Sequence, residues 1–419
     1  MNPILARQFV GCLRLGNSPD EHAERLASLG RRGWKDALDW LDLGGLTLFL
    51  WKRLKESGNE GVVPPDLRSR LDRNLADHCL RVTEMAIEVD AINRCLESAG
   101  VDYAVLKGFA LVPDYVPDAN LRPTYDHDYL VSREAVGRTE KAFEAAGYLP
   151  KKERENRTHV FFRRPPRRPY DRDDLYSPGF PRTVEVHHQF WEAENLKIPL
   201  RLPEGPLTRR RSRSWQDLRF YSLCEEDELI FQVLHVFRHI LHNWCRLCAF
   251  LEIACFLECR SRDSFLWERL RERLCDNWPL AGIFGVVFSL ATELFGGPIP
   301  GPLRTELATS LEGPLGRWLV RYGKESALNN FSFNKFSLFL HREFVQDAAA
   351  WREIRRARLF PLQQPHRAAQ ARVPSLAARS AAAWKQGVHV ARRLLHHLKA
   401  AMIYGWESYR WGRIRSGGR

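Results

Sequence analysis

The chain is 419 residues long, 44% hydrophobic and 27% charged, which is about two to three domains' worth of foldable sequence at ~100–200 residues each and too apolar for a disordered polymer. Its net charge of +13 is not evenly spread: residues 351–419 hold fifteen Lys and Arg against the two acids Glu353 and Glu407, and the residues before them balance at 49 of each sign. A basic, polyanion-binding body is therefore excluded, and the excess belongs to a tail.

In chain order, MNPILARQFVGCLRLGNSPDEHAER lacks the basic-then-apolar arrangement of a secretory signal. Residues 1–99 read as a helical N-terminal region. Trp34, Ala37, Leu38, Trp40 and Leu41 lead into LTLFLWKRLKE at spacings of three and four. Residues 62–65 break this pattern. A helix over 66–99 follows, with Leu67, Leu71, Leu75, Leu80, Val82, Met85, Ile87, Val89 and Ile92 as its apolar stripe and Gly100 as its stop. At Val101 the period changes. VDYAVLKG reads as a strand, FALVPDYVPDANLRP as a short helix and loop, YDHDYLVS as a strand and residues 133–147 as a helix. THVFFRR and TVEVHHQFW are two more strands, separated by a loop rich in Pro, Arg and Asp over residues 165–181. Residues 100–200 thus form a small α/β unit.

Residues 220–345 are helical again. Their apolar run over 280–295 is interrupted by Ser289, Thr292 and Glu293 and falls short of the ~20 residues that span a bilayer, so it reads as a buried helix. Residues 351–379 mix Arg, Pro and Gln and read as partly irregular. Residues 380–411 predict a helix on which Trp384, Val388, Leu394, Leu395, Leu398 and Met402 alternate with Arg392, Arg393 and Lys399. Such a helix packs on the body, lies on an anionic membrane surface or tracks nucleic-acid phosphates. Nine cysteines, an odd number in a chain large enough to fold without staples, point to reduced thiols and a cytoplasmic chain, peripheral at the membrane if the tail docks there. The fold class is α+β, a small mixed-sheet core flanked by helical N-terminal and C-terminal regions.

The chemistry concentrates in the α/β unit. Asp126 and Asp128 flank His127 on a strand, so period-two alternation puts both carboxylates on one face. Such a pair suits Mg²⁺, with Mn²⁺ as a substitute, completing its shell with water and phosphate oxygens. A solvated strand end would carry the same D-x-D. In TVEVHHQF, Val184 and Val186 point one way while Glu185 and His187 point the other, which offers a third carboxylate and an imidazole beside it. Lys107 and Gly108 close the first strand, where glycine admits a close backbone approach and lysine an anion. Arg122 is a second cation placed to meet phosphate. Together these parts make a two-metal phosphoryl- or nucleotidyl-transfer site, in which carboxylates hold metals that orient a nucleoside triphosphate and activate an attacking oxygen.

The run VLKGFALVPDYVPDANLRPTYDHDYLV, followed by VEVHHQFW, resembles the uncharacterised nucleotidyltransferase family of bacteria, within the polymerase-beta-like nucleotidyltransferase superfamily. The resemblance spans about residues 40–258. It implies that Gly108 is the glycine of the nucleotide-binding turn, that Asp126 and Asp128 are the metal-binding pair and that Glu185 is the third carboxylate. The implied partners are a nucleoside triphosphate and an unknown acceptor. Phe109 departs from the superfamily's usual Ser or Gly after the turn glycine.

Two rival readings accompany this one. A metal-dependent sugar-nucleotide glycosyltransferase uses a D-x-D but gives Lys107-Gly108 and Glu185 no task, and a catalytically degraded nucleotide- or partner-binding module keeps the residues without the reaction. On LHVFRHILHNWCRLCAFL, His235, His239 and His242 share a face with Cys245 and Cys248 nearby. Five ligands on one helix cannot converge on one zinc ion. Similar histidines in the resembling family imply a place near the substrate for His235 and His239.

Overall fold

The computed structural model describes residues 2–150, 159–163, 174–328, 334–360 and 376–416. Residues 164–173 of the expected Pro- and Arg-rich loop, and residues 361–375 of the expected irregular segment, lie outside the described residues.

Among the described residues seven strands form one mixed sheet: β1 (Tyr103–Val105), β2 (Asp126–Val131), β3 (Leu149–Pro150), β4 (His159–Arg163), β5 (Thr183–His187), β6 (Arg211–Trp215) and β7 (Leu218–Ser222). Their order across the sheet is β3-β4-β5-β2-β1-β7-β6. β2 runs antiparallel to β1 and parallel to β5, and β7 runs parallel to β1. The β6–β7 hairpin adds to the strands expected from sequence. RSRSW alternates between two polar residue types, so β6 carries no apolar period, although Leu218, Phe220 and Ser222 of β7 do alternate inward.

One face of the sheet packs on the 34-residue helix Pro65–Ser98, where Val82, Met85, Val89 and Ile92 meet Tyr103, Val105, Tyr129, Val131, Val184 and Val186. Proline at its first position and Asp66 in its first turn suit a helix start. Gly100 ends it at φ +63°, with its N–H donating to the Glu97 carbonyl at 3.0 Å. Two members of the expected apolar stripe, Leu80 and Ile87, are instead exposed at 60% and 61%. The buried row runs through His78, Arg81, Val82, Met85, Val89 and Ile92, and helical rotation turns those two outward.

The opposite face carries Ala104, Leu106 and Leu130 against Phe231 of the helix Glu225–Leu241. This is the face on which the acidic residues stand. Trp278–Phe295 is long and apolar enough to cross a membrane by composition alone, with mean hydropathy 1.6 over 18 residues. Its Ile283, Val286, Val287 and Leu290 are instead fully buried in the protein core. That core is continuous from Phe9 and Trp34 through Phe237 and Phe284 to Tyr404 and Trp411, so the N-terminal helices and the C-terminal half share one interior. Downstream, part of the segment expected to be irregular is the helix Ala348–Leu359, capped by the Asp347 carboxylate accepting from the Ala350 N–H at 2.5 Å. The last helix is Leu376–Arg415.

Candidate active site

The parallel register of β2 and β5 sets Asp126 beside Thr183, Asp128 beside Glu185 and Leu130 beside His187. Alternation on both strands brings Asp128, Glu185 and His187 together, and one ligand atom from each lies within 4.8 Å of the others. It is the only such group of three among the described residues. Asp126 stands one pleat along, on the same face. On the reverse side, His127 Nε2 meets Glu88 Oε2 at 3.0 Å, and Arg182 donates to the same carboxylate at 2.6 Å. These bonds tie β2 and the start of β5 to the long helix, so the acidic face is built on fixed strands rather than on a loop.

Lys107, just past β1, brings its Nζ within 2.8 Å of Asp128 Oδ1, with 8% and 0% of the two side chains exposed. The Leu106 N–H bonds the Asp128 carbonyl at 3.0 Å, and the Gln232 side chain donates to the Leu106 carbonyl at 2.7 Å, which fixes this turn. His187 Nε2 lies 3.0 Å from the same Asp128 oxygen and 3.9 Å from Glu185 Oε2. Asp128 Oδ2, buried in the same place, has no hydrogen-bond partner.

The electrostatics follow from this crowding. Burial opposes the charge on Asp128, but Lys107 and His187 outweigh it and hold its carboxyl well below the usual range. Burial, and next the charge of Asp128, push Asp126 up. Burial, then Asp128 and Asp126, push Glu185 up to about 8. Burial also lowers the pKa of His187 in spite of Asp128. An unpartnered buried oxygen with a second carboxylate and a neutral imidazole in reach is a donor set that fits a divalent cation.

Gly108 adopts φ +65°, which permits the sharp turn out of β1. Phe109 does not crowd that turn: its ring is buried, 4.6 Å from the Trp215 ring of β6. A shallow hollow opens beside the turn, lined by Gly108, Phe109, Arg122 and Thr124 among others. Arg122 is committed within the protein. Its Nε donates to Glu252 Oε1 and its Nη1 to Thr124 Oγ1, both at 2.8 Å. Arg246, between the helices Glu225–Leu241 and Leu247–Cys259, was not legible as a site residue. It is one of the cations whose charge lowers the pKa of Asp126, and no carboxylate among the described residues lies within 4.0 Å of it. It sits over the Tyr125 ring, 5.1 Å from the centroid.

Beside His187 a narrow cleft is lined by Phe190, Trp191, Phe231, His235 and Arg238. His235 therefore reaches the cleft, whereas His239 stands behind it, bonding His235 Nε2 at 3.0 Å and the Trp244 carbonyl at 2.8 Å. Burial depresses both imidazoles, His239 to about 3. Arg238, paired with Glu192 at 2.7 Å, follows His235 by one helical turn, a spacing that was readable in sequence.

A family model described as uncharacterised nucleotidyltransferase matches residues 30–296, more than half of the chain. The chain belongs to that family. No curated protein and no solved structure matches it. The nucleotidyltransferase match takes in all seven strands and ends just after the helix Trp278–Phe295. It stops well short of the basic tail.

Proposed function

We propose that this nucleotidyltransferase moves a nucleotidyl group from a nucleoside triphosphate to an acceptor hydroxyl or phosphate, in a site of polymerase-beta-like design that uses Mg²⁺, or Mn²⁺ in its place. The observation that carries this reading is the convergence of Asp128, Glu185 and His187 around a buried carboxylate oxygen without a partner. Asp126, Asp128 and Glu185 would hold the cation, with His187 as a nitrogen donor or as the group that orients Asp128. Bound there, a divalent cation would neutralise the triphosphate and polarise its phosphorus.

The chain's own groups account for the remaining requirements. Gly108 lets the backbone approach the triphosphate, and Lys107 and Arg246 are the cations near enough to offset its charge. The acceptor takes the cleft walled by Phe190, Trp191 and Phe231. As the acceptor oxygen bonds the α-phosphorus and the bond to pyrophosphate breaks, the acceptor's proton needs a base, and Glu185, 20% exposed where the Asp128 side chain is fully buried, is the carboxylate placed to take it.

The test supplies ATP, CTP, GTP and UTP with Mg²⁺ or Mn²⁺ across candidate acceptors and measures released pyrophosphate. Release that disappears in Asp128→Ala supports the reading. A sugar-nucleotide glycosyltransferase would release a nucleoside diphosphate instead. Absence of any release, together with nucleotide binding unchanged in Asp128→Ala, overturns it in favour of a binding module.

A further inference from the structure

The helix Leu376–Arg415 has two opposite faces. Ala400, Tyr404, Glu407 and Trp411, spaced by three and four residues, are each less than 10% exposed. Tyr404 and Trp411 stack on Phe339 with ring centroids 4.9 and 5.6 Å apart, and Glu407 accepts from Arg321 at 2.5 Å and from the Tyr322 hydroxyl at 2.8 Å. This face is docked on the body.

Half a turn around the helix, Leu395, Leu398, Met402, Trp406 and Tyr409 repeat the same spacing but are exposed at 66%, 46%, 75%, 69% and 75%. Trp384, also 75% exposed, continues the line three turns earlier. At 1.5 Å per residue the stripe is about 37 Å long. Along one edge of it stand Arg392, Lys399 and Arg410, seven and eleven residues apart and therefore on one side. The Arg410 guanidinium lies 5.4 Å from the centroid of the Trp406 ring.

We propose that this stripe is a docking face for an anionic lipid bilayer, on which the helix lies in the plane of the surface with the body above it. Three features select that occupant. The apolar side chains stand on the side of the helix that faces away from the body, so packing within the protein does not account for them. Trp, Tyr, Leu and Met with an arginine and lysine border match the headgroup boundary, where rings sit half immersed and cations meet lipid phosphates. The charge is local, since residues 351–419 carry the whole +13 and the remainder is neutral, so attraction to an anionic leaflet would orient the molecule tail-first. A face that followed nucleic acid would place its cations, not its apolar side chains, along the exposed line.

The experiment is flotation of the full chain with phosphatidylcholine vesicles, with and without phosphatidylglycerol. The protein should float with the phosphatidylglycerol vesicles alone. Leu395→Glu with Met402→Glu should weaken partition by about a hundredfold, at roughly tenfold per apolar side chain kept out of the bilayer. Arg392→Glu with Lys399→Glu should weaken it by at least about thirtyfold. All four side chains are exposed, so the melting curve and Mn²⁺ binding should not change, which keeps this outcome separate from the fate of the active-site reading. Absence from both vesicle types, equal partition onto both, or stripe variants that float like the wild type would each overturn the proposal. It is equally overturned if the same substitutions abolish self-association in sedimentation, or single-stranded RNA binding, while vesicle binding is absent.

Discussion

Lys107→Met isolates the strongest electrostatic commitment in the site. The ammonium lies 2.8 Å from Asp128 Oδ1, both side chains are almost wholly buried, and methionine fills nearly the same volume without the charge. What remains is a buried carboxylate beside Asp126 and Glu185. Removing one partner of a buried pair costs about 3–5 kcal/mol. His187 still bonds the same oxygen at 3.0 Å, which puts the expectation at the lower end, about 3 kcal/mol. At ~2.1 cal/mol/K of unfolding entropy per residue, a chain of 419 residues then melts about 3 °C lower. Divalent metal should reverse the sign of the comparison. In the wild type a cation at Asp128 competes with the ammonium, and in the variant it meets an uncompensated carboxylate, so Mn²⁺ should raise the variant's midpoint by more than the wild type's. Differential scanning fluorimetry in EDTA and across a Mn²⁺ titration reads both effects. A variant that melts with the wild type in EDTA, or that gains no more from Mn²⁺, refutes the placement of metal at Asp128.

Two further substitutions separate cations that sequence alone treats alike. Arg122→Gln strands the buried Glu252 carboxylate and should cost stability, about 3–5 kcal/mol in denaturant unfolding. Arg246→Gln should leave stability unchanged and weaken nucleotide binding about tenfold by calorimetry, the loss of one charge-assisted contact. Acid should also destabilise the fold through its buried histidines. His78 and His341 bond the carbonyls of Arg122 and Leu196 through Nε2, at 3.1 and 2.7 Å, while each Nδ1 is buried without a partner. Burial holds both pKa values down to about 4. The unfolded chain therefore binds protons that the native one refuses. Their contribution is complete above about pH 6.5 and fades as pH falls toward 4, about 2 kcal/mol per histidine being lost by pH 5. His341→Gln, which can still donate to Leu196 but cannot titrate, should flatten part of that slope in unfolding measured from pH 7.5 to 5.

What sequence made legible was what depends on period. Asp126, Asp128, Glu185 and His187 are readable because strand alternation fixes the face of every side chain once two strands are recognised, and the parallel register of β2 and β5 then aligns Asp128 with Glu185. Contacts between distant segments are not periodic. Arg122 and Arg246 are both lone arginines near the motif, and only the approach of Glu252 from another helix marks the first as already neutralised. Phe109 follows the same logic. Beside a turn glycine it reads as an obstruction, yet the β6–β7 hairpin supplies Trp215 to take up its ring. That hairpin was missed because its outer strand has no apolar residue until Trp215. Leu80 and Ile87 fail for another reason: along 34 helical residues, several apolar rows fit the same spacing, and the partner sheet selects one.

The separation of charge between body and tail leads to one last expectation, concerning salt. Among the described residues the cations near the carboxylates are few: Arg122 is neutralised by Glu252 and Arg238 by Glu192, which leaves Lys107 and Arg246 facing Asp126, Asp128 and Glu185. Residues 1–350 carry no net charge, balancing at 49 of each sign, so a triphosphate brought to this place gains little from the long-range charge of the body. In the proposed site its binding would rest on a dication and on short contacts at low dielectric, which monovalent salt screens weakly. Attraction of the tail to an anionic surface comes from exposed arginines and lysines and is screened strongly. With Mg²⁺ present, raising salt from about 50 to 200 mM should change nucleotide affinity by less than about threefold while removing most vesicle binding. EDTA should do the reverse, abolishing nucleotide binding and leaving flotation intact. Nucleotide binding that collapses with salt as steeply as flotation would mean that the basic tail, rather than the carboxylate site and its metal, supplies the attraction for phosphate.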